Sequence, residues 1–127
     1  MEPLIIYEGQ STPKIVLDKA NEKFEIAGNS LPEDVLGFYS PVFNWFEEYI
    51  KQPNRQTELH IKLMYFNSSS SKAILDILNM LEEVAVKGFG VEIFWYYLEI
   101  DEDMLETGKE FEGMLKLPFQ FISYMQD

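Results

Sequence analysis

Cysteine is absent from the 127 residues, so no disulfide, thiolate nucleophile or sulfur-ligated metal site can form. That usage suits a reducing compartment. Histidine occurs once, as His60. A zinc site would therefore have to be built mostly from carboxylates, which is unusual. Cations are scarce: 10 Lys+Arg against 22 Asp+Glu leave a formal charge of −12. Such a chain is poorly suited to a nucleic-acid backbone or to an anionic membrane surface, but a protein partner stays open. Long apolar runs are missing too. The run from Ile93 to Leu98 is much too short to span a bilayer. The stretch Met1 to Glu8 has no basic region and does not read as a signal peptide. The expected location is cytoplasmic, without membrane insertion. No G-x-G-x-x-G, G-x-x-x-x-G-K or G-x-S-x-G motif occurs, and Gly88-Phe89-Gly90 reads as a helix stop.

What is present is a folding composition. Hydrophobic residues make up 46% and aromatics 15%, too apolar for a disordered chain. Residues 1–127 are expected to form one domain. Leu4–Tyr7, Lys14–Leu17 and Lys23–Ala27 read as short strands separated by polar turns, which gives an antiparallel meander at a sheet edge. Gly28–Asp34 reads as a loop into a helix. In that helix Val35, Phe38/Tyr39, Val42, Trp45/Phe46 and Tyr49 keep helical spacing. Pro41 inside it predicts a kink, or a restart capped by Ser40. Leu59–Phe66 reads as a central strand, with Leu59, Ile61, Leu63 and Tyr65 on one face and His60, Lys62, Met64 and Phe66 on the other. A second helix carries Ile74, Ile77/Leu78, Leu81 and Val84/Ala85 as its buried stripe, and Lys87-Gly88 closes it. Val91–Leu98 is nearly continuous in apolar residues, as expected of a strand covered on both faces. Asp101–Gly113 has helical register weakened by two glycines. Leu117–Tyr124 is a strand or a docked tail. The pattern predicts an α/β fold: a single mixed sheet with an N-terminal antiparallel strand meander and about three helices, the central strands parallel.

Few residues suggest chemistry. His60 in mid-strand reads as a half-buried strand residue in preference to a general base. Glu47-Glu48, Glu82-Glu83 and Asp101-Glu102-Asp103 are adjacent pairs and runs, whose members do not face each other on a helix, so they read as solvated faces. Neither a metal nor a cofactor is expected. Partly exposed aromatics, such as Tyr39/Phe43 and Tyr96, offer a protein-binding face.

The strongest feature is Ser68-Ser69-Ser70-Ser71, set between a strand and a helix and preceded by Tyr65-Phe66-Asn67. Two readings stand. One hydroxyl caps the helix by accepting a backbone N–H. Alternatively the run holds a regulatory phosphoacceptor, since a helix start with unpaired N–H groups favours a phosphate.

Tyr65-Phe66-Asn67-Ser68-Ser69-Ser70 followed by Lys72-Ala73 resembles the Y-[LF]-N-[ST]-S-S-x-K-A motif of the SiaC family of bacterial regulatory phosphoproteins. Gly9-x-Ser11-Thr12-Pro13-x-Ile15 is similar to the family's N-terminal segment. Phe24-x-Ile26-x-Gly28-x-Ser30-x-Pro32-Glu33, then Phe38-Tyr39-x-Pro41 and Trp45, is similar to its second block. Leu81-Glu82 and Pro118-Phe119 also fit, so the resemblance covers essentially the whole chain. It implies a STAS-like fold, related to anti-sigma-factor antagonists. It implies a non-enzymatic switch, phosphorylated on the hydroxyl residue directly after the Asn, here Ser68. Asn67, Ser69, Ser70, Ser71 and Lys72 are then the expected partner interface. The implied partners are a GHKL-type serine/threonine kinase, a PP2C-like phosphatase and a diguanylate cyclase. The bare form would activate the cyclase and so promote cyclic-di-GMP signalling and biofilm formation. The alternatives are a STAS-type antagonist in an anti-sigma cascade and, from another class, a small metal- or carboxylate-dependent enzyme.

Overall fold

The three helices all lie on one face of a six-stranded sheet whose order is the chain order, β1-β2-β3-β4-β5-β6. The coordinates are a computed structural model, and they describe residues 1–126. The strands are β1 (Leu4–Ile6), β2 (Lys14–Asp18), β3 (Lys23–Ser30), β4 (Gln56–Phe66), β5 (Gly90–Leu98) and β6 (Phe119–Tyr124). The helices are α1 (Val35–Tyr49), α2 (Ser68–Val86) and α3 (Glu102–Met114), each connecting two strands from β3 onward. β1, β2 and β3 pair antiparallel, as the meander predicted; β3 to β6 pair parallel. The single mixed sheet with three helices is the expected α/β arrangement. Among the described residues no helix is long and apolar enough to cross a membrane.

Cross-strand register explains why one face is covered. Phe24, Leu59, Ile93 and Phe119 are neighbours in one row, and Ile26, Ile61 and Trp95 in the next. All seven are buried. α1 supplies Tyr39, Val42, Trp45, Phe46 and Tyr49 to this side, and Trp45 and Tyr49 pack on Phe24 at ring distances of 5.9 and 5.3 Å. α2 supplies Ile74, Ile77, Leu78, Leu81 and Val84, the stripe its periodicity predicts. α3 packs on Trp95 through Phe111, at 5.5 Å.

Four expectations give way to tertiary effects. α1 does not restart at Ser40: it runs as one helix through Pro41 from an Asp34 cap. Gly37 and Pro41 both lie on its exposed side, so the carbonyl that loses its donor is at the solvent. Gly28, Asn29 and Ser30 are strand, not loop, because they pair with β4. The register shifts there: Gly28 pairs with Leu63 but Asn29 with Tyr65. The extra residue on β4 reverses the alternation. Phe66 therefore turns inward against Trp95, and Tyr65 turns out, the opposite of the predicted faces. Finally, β5 is covered on one side only, and Phe94, Tyr96 and Leu98 lie on the uncovered side. The glycine in α3 has a positive use. A Cβ on Gly108 would sit 2.6 Å from Trp95 Nε1, so glycine lets the helix approach the sheet.

Candidate functional site

The serine run lies where β4 ends, and its geometry begins with the shifted register. Asn67 N donates to Ser30 O at 3.2 Å, carrying the β3–β4 pairing up to the last residue before the helix. Asn67 is extended (φ −87°, ψ 176°) and caps α2: its side-chain oxygen accepts from Ser70 N at 2.9 Å. None of the four serines is the cap; all lie inside α2. The capping reading of the run is thus replaced by an asparagine cap one residue earlier.

Helical geometry then sorts the hydroxyls. Ser68 and Ser69 are exposed, Ser71 is half-buried and Ser70 is fully buried. Ser70 Oγ donates to Ser30 O at 2.9 Å and accepts from Ser30 Oγ at 2.8 Å. Ser30 Oγ also lies 2.6 Å from Tyr39 OH. Each hydroxyl has one proton, so the direction is fixed: Tyr39 donates to Ser30, Ser30 to Ser70, and Ser70 to the backbone. Tyr39, expected as an exposed aromatic, is 0% exposed. Burial holds its hydroxyl above the usual phenol range, against the opposing pull of Ser30 and Ser70. This chain ties the first turn of α2 to the end of β3 and to α1. Ser30 and Tyr39 are the site residues that sequence reasoning missed. Ser30 lies 40 residues from Ser70, and no local pattern joins them.

A groove of about 440 Å³ opens beside the turn, between α2 and α3. Ser68, Ser71 and Lys72 line it on one side, Thr107, Glu110 and Met114 on the other, with Phe66 and Phe111 also in its wall. Ser69 is not in its lining. Lys72 Nζ is 3.8 Å from Asp76 Oδ2, and its side chain is 82% exposed. Ser68 precedes Lys72 by one helical turn, so both lie on the same face.

The three helix starts differ in charge. All are capped in the same way, by Asp34, Asn67 and Asp101 accepting from the backbone N–H three residues on. α1 has a carboxylate as its cap. α3 has one as its cap and two more, Glu102 and Asp103, in its first turn. α2 has an amide cap and no acid in its first turn. Its positive dipole end is the one left without a carboxylate.

The other candidates stay structural. His60 Nδ1 lies 2.8 Å from Tyr96 OH, and the ring stacks on Phe94 at 4.5 Å. Asp101 is spent on its cap, and a Glu82 carboxylate oxygen accepts from Lys116 N. Among the described residues, no three His, Asp or Glu side chains converge as a metal site.

Comparison with known proteins agrees with this arrangement. Residues 6–124 match the model of the SiaC family regulatory phosphoprotein. An uncharacterised protein of Pseudomonas aeruginosa (strain UCBPP-PA14) is 35% identical over 119 residues, 94% of each chain. The crystal structure of apo-SiaC from Pseudomonas aeruginosa superposes with a TM-score of 0.87 at 34% identity, covering 96% of this chain and 99% of that one. SiaC as crystallised with the diguanylate cyclase SiaD, which it activates, superposes with a TM-score of 0.90 at 34% identity, covering 95% and 99%. A regulatory protein, and not an enzyme, is what this family description gives. With its sheet, its serine-bearing helix start and a match over nearly its whole length, the chain belongs to the SiaC family of regulatory phosphoproteins.

Proposed function

We propose that this chain is a cytoplasmic switch that binds and activates a diguanylate cyclase while Ser68 is bare, and lets it go when Ser68 is phosphorylated. The observation that carries this reading is the start of α2. It is the helix start with no carboxylate, and the exposed hydroxyl facing the α2–α3 groove there is Ser68. Ser69 is exposed but outside the groove, and Ser70 is buried. A phosphate on Ser68 adds a charge of about −1.5 to −2. The helix dipole favours it by roughly 0.3–1 kcal/mol, and Lys72, one turn along, is placed to pair with it. The fold is expected to hold still while the surface changes. A partner seated over Ser68, Ser71 and Lys72 would meet a bulky dianion on a chain already at −12.

The solved complex of a SiaC with a diguanylate cyclase supports the cyclase as partner. A GHKL-type kinase and a PP2C-like phosphatase would write and erase the phosphate. The test is a pull-down with wild type, Ser68→Ala and Ser68→Asp, with the phosphosites mapped by mass spectrometry. Ser68→Ala should take up no phosphate and keep the cyclase; Ser68→Asp should weaken cyclase binding at least about tenfold, about 1.4 kcal/mol. Identical partner sets for the two variants would refute the switch. Cyclase activity measured with and without the purified protein then separates this reading from an anti-sigma antagonist.

A further inference from the structure

The first turn of α2 holds no apolar side chain. Ser68, Ser69, Ser70 and Ser71 fill it, and the buried apolar stripe begins only at Ala73 and Ile74. The Asn67 cap does not orient this turn against the rest of the fold, because Asn67 Oδ1 and Asn67 O accept from Ser70 N and Ser71 N within it. Among the described residues, every hydrogen bond from residues 67–71 to another element ends on Ser30. Ser30 O accepts from Asn67 N at 3.2 Å and from Ser70 Oγ at 2.9 Å, and Ser30 Oγ donates to Ser70 Oγ at 2.8 Å. Tyr39 OH, 2.6 Å from Ser30 Oγ, holds Ser30 in turn. Ser30, Tyr39 and Ser70 are fully buried, so water does not compete for these bonds.

The rotation of the turn follows from that tether. Successive residues of a helix lie about 100° apart. With Ser70 turned to Ser30, Ser68 points about 160° away, nearly straight outward, and Ser69 and Ser71 lie about 100° to either side. Exposure agrees: Ser68 and Ser69 are exposed and Ser71 is half-buried. Ser68 alone is both exposed and in the α2–α3 groove.

We infer, on the reading that Ser68 is the acceptor, that Ser30 and Tyr39 are positioning residues that select Ser68 from the four serines. A kinase joins the acceptor oxygen to the γ-phosphorus of a nucleoside triphosphate, in line with the departing diphosphate, and a base of the kinase takes the hydroxyl proton. One oxygen meets that alignment when the turn is held in one orientation. With the tether cut, the turn frays as helix ends do, and Ser69 and Ser71 come round to the same position. Both residues act through Ser70; being buried, neither can touch the kinase.

The test compares the full chain as wild type, Ser30→Ala and Tyr39→Phe, each purified from its native host, with phosphosites mapped by electron-transfer mass spectrometry. Both substitutions are buried and lie outside residues 65–73, so the kinase meets the same motif and the same surface. Circular dichroism confirms folding, and Tyr39→Phe, the gentler change, carries the test if Ser30→Ala does not fold. Hydrogen exchange, which needs no kinase, compares the amides of Ser70 and Ser71 with that of Leu78 in the middle of α2. Wild type should carry phosphate on Ser68 alone. Ser30→Ala should lose phosphate from Ser68 and gain it on Ser69 or Ser71. Its Ser70 and Ser71 amides should exchange about 5- to 30-fold faster relative to Leu78, the factor for a lost buried hydrogen bond. Tyr39→Phe should shift both readouts the same way by less. Folded variants still phosphorylated on Ser68 alone at the wild-type level overturn the selection and leave the switch standing. So does exchange at Ser70 and Ser71 that rises no more than at Leu78, the mark of a merely stabilising role. A wild type with no phosphate on any of the four serines overturns the switch reading, and the selection with it.

Discussion

The first turns of α2 and α3 share a cap but not a charge. Both follow a parallel strand, and both are closed by an Asx side chain accepting from the third N–H, at 2.9 Å from Ser70 and 3.0 Å from Met104. At α3 the cap is a carboxylate, and Glu102 and Asp103 follow it. At α2 the cap is neutral and three hydroxyls follow it before Ser71. One helix start is already neutralised by its own residues; the dipole of the other meets no carboxylate. The inward side of the turn differs as well. α3 fixes its start by the Asp101 cap and by Met104 O accepting from Trp95 Nε1 at 3.0 Å. α2 uses a buried chain of hydroxyls. The neutral hydroxyl chain holds the shape of the α2 turn without carboxylates.

The largest break in this comparison should come from Ser70→Ala. It leaves Ser30 Oγ without its acceptor and Ser30 O without its side-chain donor in a dry site. That should cost about 1–3 kcal/mol in urea unfolding. Asp101→Ala, on the other helix, should cost about 1 kcal/mol, the ordinary value of a lost cap. Equal costs for the two would mean that the hydroxyl chain adds nothing beyond capping.

Tyr39→Phe should cost about 1 kcal/mol at neutral pH, as it removes the first donor of the chain. It should also change the alkaline limb. Burial raises the folded-state pKa of Tyr39 above its ordinary value of 10.0. Its contribution is therefore complete below pH 10 and lost as pH climbs through the higher folded-state value. Stability measured against pH should fall less steeply above 10 in the phenylalanine variant than in wild type.

The smallest effect has the opposite sign. Asn67→Asp makes the α2 cap resemble that of α3, and it should stabilise the bare protein by about 0.3–1 kcal/mol. The same charge should slow phosphate transfer to Ser68, read as phosphate incorporated over time. A variant that is stabilised and still phosphorylated at the wild-type rate would detach the bare dipole from the choice of site.

Much of this was legible in the sequence because the interactions concerned are short-range. Helical stripes such as Ile74, Ile77/Leu78 and Leu81 follow from a period of 3.6 residues. The closure of α2 follows from Lys87 and from Gly88, which adopts φ +99°. The order of elements followed from those periods, and each helix returns the chain to the next strand position, so the sheet order is the chain order. The family resemblance proposed Ser68 as phosphoacceptor, and the structure adds that this residue is exposed in the first turn of α2.

Local pattern could not settle which way each side chain faces where distant strands meet. The register shift at Gly28/Asn29 exchanges Tyr65 and Phe66, because one additional residue inverts a period of two. Ser70 is withdrawn from the surface by Ser30 and Tyr39, residues that only folding brings to it. The uncovered side of β5 arises because all three helices pack on one face, and that no run of apolar residues can announce. The sequence by itself determined the elements, their caps and the acidic, cysteine-free chemistry, since these depend on neighbours within about one helical turn. The tertiary structure alone decided which serine is exposed in the groove and which sheet face is bare, since both depend on hydrogen bonds and packing between segments far apart in the chain.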